Sequence, residues 1–169
     1  MNATERRGRI LEYLREWDRP LSATALARRL SVSRQVIVGD VALLRAAGEG
    51  ITATPRGYVL DRPRAGLIRT VACLHRGEDM ERELTLMVDQ GCEVADVIVE
   101  HPVYGQLTGP LELASRRDVS EFIRRVEENG ARPLSALTDG IHLHTLRCPN
   151  EEAFRRARAA LEGAGFLVR

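Results

Sequence analysis

Apolar side chains between residues 4 and 17, at Ile10, Leu11, Leu14 and Trp17, recur at helical spacing until Asp18-Arg19-Pro20 breaks the pattern, so the chain is predicted to open with a helix. Ser22 is placed to cap a second helix from Ala23 to Leu30, with Leu26 and Leu30 on one stripe. Ser33 is placed to cap a third, from Arg34 to about Ala47, which Gly48 ends. On this third helix Ile37, Val41 and Leu44 fall on one face, which sends Arg34, Gln35, Val38 and Arg45 roughly to the other. Ile51-Thr52-Ala53 and Tyr58-Val59-Leu60 then read as a hairpin turning at Thr54-Pro55-Arg56-Gly57. Three helices and a hairpin within 61 residues predict a winged helix-turn-helix, whose third helix enters the major groove of DNA.

Residues 62–66, Arg-Pro-Arg-Ala-Gly, read as a linker, and the periodicity changes after it. Strands are predicted at 67–75, 93–100, 103–113 and 140–148, and helices at 79–90, 118–128 and 151–162, with a short final strand at Phe166-Leu167-Val168. The order β-α-β-β-α-β predicts a ferredoxin-like α/β sandwich over 67–169, so the whole chain is expected to be α+β.

Composition narrows the class. Hydrophobic residues make up 44% and charged residues 29%, and no apolar run approaches the roughly 18 residues that span a bilayer, so a membrane protein is not expected. Without a signal-like apolar stretch at the start, and with three scattered cysteines, the expected compartment is the reducing cytoplasm. Net charge is only +1, yet residues 1–64 hold twelve arginines against fewer acids. A basic segment suits a polyanionic partner, here double-stranded operator DNA. Ser33, Arg34 and Gln35 at the first turn of the third helix, Arg45 further along it and Arg56 in the wing are the candidate DNA contacts.

All four histidines, His75, His101, His142 and His144, lie in the second half of the chain. His142 and His144 stand two apart on a predicted strand, so both imidazoles leave one face. His75 ends the first strand of that domain, and Glu83 lies at the border of the buried stripe formed by Met80, Leu84 and Met87. Three imidazoles and a carboxylate suit a divalent transition metal such as nickel, zinc or iron. Cys73 and Cys148 alternate onto the faces of the histidines, as substitute ligands or as small core residues. His101, read as opening a strand, and Tyr104 are candidates for a small-molecule pocket or for stabilising a turn.

Five segments carry a family resemblance. They are Val32-Ser33-Arg34-Gln35, Asp40 through Gly48, Thr54-Pro55-Arg56-Gly57-Tyr58, His101-Pro102-Val103-Tyr104-Gly105, and Asp139-Gly140-Ile141-His142-Leu143-His144-Thr145. With these the chain resembles, over nearly its whole length, the niacin-responsive transcriptional repressors, which join a winged helix to a 3H domain. The resemblance implies repression of genes for NAD-precursor synthesis or uptake, nicotinic acid as co-repressor, a homodimer, and metal ligands at His75, Glu83, His142 and His144. Gly39 stands where these proteins often carry a polar or basic side chain. A metal-sensing repressor without organic effector and a metal-dependent enzyme fused to a DNA-binding module are the competing readings. The apolar helix Ala153 to Leu161 is the expected dimer contact.

Overall fold

In the computed structural model, which describes Met1–Arg169, five of the six α-helices begin where a side-chain oxygen accepts from an otherwise orphaned amide. Asn2 accepts from Glu5 N at 2.9 Å to start α1 (Ala3–Glu16), and the Glu5 carboxylate returns a bond to Asn2 N. Ser22 accepts from Ala25 N at 3.1 Å to start α2 (Ala23–Leu30). Ser33 accepts from Val36 N at 3.3 Å to start α3 (Arg34–Ala46). The chain divides into two units, Met1–Pro63 and Arg64–Arg169, and no helix is long and apolar enough to cross a membrane.

The first unit is a winged helix. Ile10 and Leu14 of α1, Leu26 of α2 and Ile37, Val41 and Leu44 of α3 form its buried core. Strands β1 (Ile51–Thr54) and β2 (Gly57–Leu60) make the wing, pairing Ile51 with Leu60 and Thr54 with Gly57. Val38 packs partly buried against this core, so it belongs to the inner side of α3 and not to the outer side that the spacing suggested. Asp40, also on α3, is buried beside Arg6, whose Nε lies 2.5 Å from its carboxylate, and Arg7 approaches at 3.7 Å. Arg62 donates to the carbonyls of Leu14 and Arg15 at the end of α1. Part of the basic excess therefore braces the unit from within.

The second unit contains β3 (Leu67–Leu74), α4 (Met80–Val88), β4 (Glu93–His101), β5 (Gly105–Leu113), α5 (Arg116–Glu128), β6 (Ile141–Cys148) and α6 (Glu151–Gly163). Its sheet order is β3-β6-β4-β5 with every neighbouring pair antiparallel, so the last strand enters between the two halves of the split β-α-β. His101 ends β4, and Pro102–Tyr104 form the turn into β5. All three helices cover one face, burying Val71, Leu84, Met87, Val94, Leu113, Val119 and Leu146. Ala153, Ala157 and Leu161 of α6 are fully buried in that core. The stripe expected to meet a partner is thus consumed within the domain.

The wing docks through Gly57. Leu21 and Tyr58 exchange backbone hydrogen bonds at 2.9 and 3.0 Å, which draws Gly57 against the chain entering α2. Its φ is +138°, and a Cβ there would lie 2.4 Å from the Leu21 carbonyl. Gly57→Ala is therefore expected to cost more than about 1 kcal/mol and to detach the wing. Chemical denaturation and amide exchange at Tyr58 check this; unchanged protection at Tyr58 would show that the wing does not depend on this contact.

Candidate functional site

Strand alternation puts His142 and His144 of β6 on the helix-covered face, and both are buried. The turn after β3 brings His75 to the same end of the sheet. From the other side α4 lowers Glu83, which is 1% exposed, into their midst. Its Oε1 lies 2.9 Å from His142 Nε2, and its Oε2 lies 2.7 Å from His75 Nε2 and 3.3 Å from His144 Nε2. The His75 and His144 rings each sit 4.9 Å from that of His142, nearly perpendicular to it. The three imidazoles singled out for a metal thus meet at the two oxygens of the Glu83 carboxylate.

The far nitrogens of the rings decide their protonation. His75 Nδ1 faces Arg76 O at 2.7 Å, His142 Nδ1 faces Gly140 O at 2.8 Å, and His144 Nδ1 faces Asp96 O at 2.7 Å. A carbonyl only accepts, so each Nδ1 carries the proton and donates it, and each Nε2 is turned to Glu83. If the Nε2 atoms are unprotonated, only acceptors face one another; if they are protonated, several positive charges crowd a single carboxylate. His75 Nε2 is buried and lies 2.7 Å from Glu83 Oε2. A divalent cation would resolve both difficulties, and the donor set of three imidazoles and a carboxylate fits a borderline transition metal.

The electrostatics follow from this packing. Burial alone would raise the Glu83 carboxyl, but its hydrogen bonds with His142, His144 and His75 outweigh burial and hold it well below the ordinary carboxylate range. Burial lowers His75, yet contact with Glu83 leaves its pKa raised overall. Cys73 also reaches the cluster, its Sγ lying within 4.8 Å of ligand atoms of Glu83 and His142. Burial, and then the charge of Glu83, push its thiol up, so without a cation it stays protonated beside the tetrad. Cys148 lies elsewhere, its Sγ 2.7 Å from that of Cys92.

Beside the tetrad a cavity of about 240 Å³ opens. Its walls are His75, Arg76 and Gly77 after β3, and Pro133, Ser135, Ala136, Asp139 and Gly140 before β6. The second wall is a 3-10 turn, Leu134–Thr138, which periodicity did not reveal. Gly140 closes it: φ is +97°, and a Cβ would stand 2.6 Å from His75 O. The same residue's carbonyl holds His142. Asp96 was missed as well. At a bulge in β4 its carbonyl holds His144 and its carboxylate accepts from Thr145 N at 3.1 Å. The Asp-Gly dipeptide was the one local signal for this wall, and nothing local marked Asp96.

His101 and Tyr104 do not join this cavity. His101 Nδ1 accepts from the amides of Val103 and Tyr104 at 3.1 and 3.2 Å, the two rings lie 5.1 Å apart, and Tyr104 is 75% exposed. Together they shape the hairpin turn. In the first unit Arg34, Gln35 and Arg45 are exposed on α3, Ser33 caps it, and Arg56 sits in the wing turn. Gly39 lies on the same outer side, and a Cβ there would touch nothing. The centre of the exposed α3 surface is therefore bare, which lets another molecule approach the helix backbone closely.

Two family comparisons match these units: an HTH domain over residues 6–59 and a 3H domain over 68–169. The chain is 46% identical over 168 residues to the transcription repressor NadR of Bacillus subtilis, covering 97% of this chain and 93% of that one. It is also 46% identical over 160 residues to the probable transcription repressor NiaR of Thermotoga maritima, covering 95% and 90%.

Gly39→Ala is expected to raise stability by about 1 kcal/mol, since no neighbour is displaced and a helix-interior glycine costs about that much; a drop in the unfolding midpoint would contradict the open surface. A second expectation concerns metal-stripped protein. The raised His75 stabilises below its ordinary 6.5 and loses that contribution as pH rises, whereas the lowered Glu83 stabilises above its ordinary 4.5 and loses it as pH falls. Thermal midpoints in chelator should therefore peak between these values. A midpoint climbing steadily from pH 5 to pH 8 would refute the charge arrangement.

Proposed function

The chain belongs to the 3H-domain family of helix-turn-helix transcription repressors, and from that premise we propose that it represses genes of NAD-precursor supply when nicotinic acid binds beside a metal held by His75, Glu83, His142 and His144. One observation carries the reading: a buried tetrad whose Nε2 atoms and carboxylate converge with every Nδ1 already tied to a carbonyl, next to a cavity. When bound, the cation would supply charge balance and an electrophilic anchor for one end of an aromatic acid. The cavity of about 240 Å³ falls below the roughly 300 Å³ at which pockets for drug-sized ligands begin, and so suits a single-ring compound. Arg76 in its wall offers a guanidinium to a carboxylate.

The cavity favours an organic effector over a sensor of the metal alone. On the DNA side, Arg34, Gln35 and Arg45 would meet base edges and phosphates from α3, Ser33 would present the amide end of the helix to a phosphate, and Arg56 would reach the backbone from the wing. A single winged helix reads few base pairs, so a homodimer on a two-fold operator completes the reading.

Calorimetry of nicotinate and nicotinamide against metal-loaded and chelated protein tests it. Nicotinate is expected to bind the loaded form at least tenfold more tightly than the chelated form, because metal and effector share one site. His142→Ala should lose both metal and nicotinate, while binding of the operator in the absence of effector persists. Equal nicotinate affinity with and without chelator would overturn the shared site.

A further inference from the structure

Helix α3 meets solvent with fewer polar side chains than an amphipathic helix normally shows. Of its exposed positions only Arg34, Gln35 and Arg45 carry a side-chain donor or acceptor. Val36, Gly39 and Leu43, at i, i+3 and i+7, form an uncharged line along the helix, with Val36 37% and Leu43 57% exposed. Single exposed apolar residues are common on any surface, but Val36 stands in the first turn, the part of a recognition helix that reaches base edges. Asp40, the one acid of α3, is buried beside Arg6, so no carboxylate of this helix faces a phosphate.

We propose that Val36 reads the C5-methyl group of a thymine in the operator, and that Gly39 provides the clearance that lets so short a side chain reach it. The inference rests on the reading in which α3 enters the major groove, and it names what the helix selects there. A valine side chain neither donates nor accepts a hydrogen bond, so the one base feature in the major groove that it can distinguish is the thymine methyl. Contact of this kind needs the helix surface within van der Waals distance of the base edges, whereas arginine and glutamine can reach across a gap. One turn beyond Val36, a Cβ at Gly39 would meet nothing within 4 Å, so that stretch of the surface is as low as a helix allows. Arg34 and Gln35 in the same turn add donors and an acceptor, and the helix then reads both polar edges and methyl groups.

The test is a uracil scan. A duplex is selected from a random-sequence pool by the metal-loaded full chain with nicotinate present. Each thymine of the selected site is then replaced in turn by deoxyuridine, which removes the methyl group and keeps every hydrogen-bonding group. For the wild type, replacement of at least one thymine is expected to weaken binding about fourfold, the contribution of one buried methyl group. Val36→Ala should bind the unmodified duplex more weakly by a similar factor and be indifferent to uracil at that thymine. A uracil effect that persists in Val36→Ala overturns the proposal, because a merely structural role would weaken every duplex alike. Should Val36→Ala fold poorly, Gly39→Gln decides. No neighbour is displaced, so its unfolding midpoint is expected at or above that of the wild type, while the longer side chain holds the helix off and abolishes the uracil effect. A uracil effect retained in Gly39→Gln overturns the proposed clearance. A wild type indifferent to every uracil, or a selected site without thymine, overturns the methyl contact, and the groove reading then stands if Arg34→Ala loses affinity for the same duplex. Unchanged affinity in Arg34→Ala overturns both.

Discussion

Glu83 lies 1% exposed among three imidazoles, and the architecture of the second unit is organised around holding it there. A buried carboxylate costs several kcal/mol unless partners offset it, so every element that supplies a partner is constrained. Helix α4 must point Glu83 at the sheet, β3 must end just before His75, and β6 must keep its register, because a slip of one residue would turn both imidazoles to the open face. The bulge in β4 aims the Asp96 carbonyl at His144, and the turn before β6 aims that of Gly140 at His142. Tying each Nδ1 to a carbonyl fixes one tautomer and leaves three nitrogens directed at the same volume.

The first unit solves a different problem. Its charge density is spent in two ways, with Arg6, Arg7 and Arg62 bracing α1 and α3 through Asp40 and the helix-end carbonyls, and Arg34 and Arg45 left on the surface of α3. Arg29 is drawn over the rings of Tyr13 and Trp17, at 5.5 and 4.6 Å from their centroids. Counting arginines overstates the surface available to DNA. A bare strip at Gly39, flanked by these side chains, admits close approach where a longer side chain would hold the partner off.

Much of the architecture was legible because it depends on short-range rules. Helix periodicity marked α1, α2, α3 and α6 to within a residue or two, with serine caps at α2 and α3, and alternation marked the strands. The same alternation put His142 and His144 on one side, and the company of His75 and Glu83 suggested a common site. Val38 was misplaced because at the boundary of a helical stripe the neighbours decide which way a side chain packs.

What the chain alone determined was therefore the identity of its elements, their facing and the ligand types that could meet. What only the tertiary structure decided was everything that depends on which elements become neighbours: β6 entering between β3 and β4, Asp96 reaching a histidine 48 residues away, Asp40 pairing with Arg6, and α6 spending its apolar stripe inside the domain. Periodicity reports the environment of a residue averaged over a turn or two, whereas burial and charge pairing are set by contacts across tens of residues that no local pattern encodes.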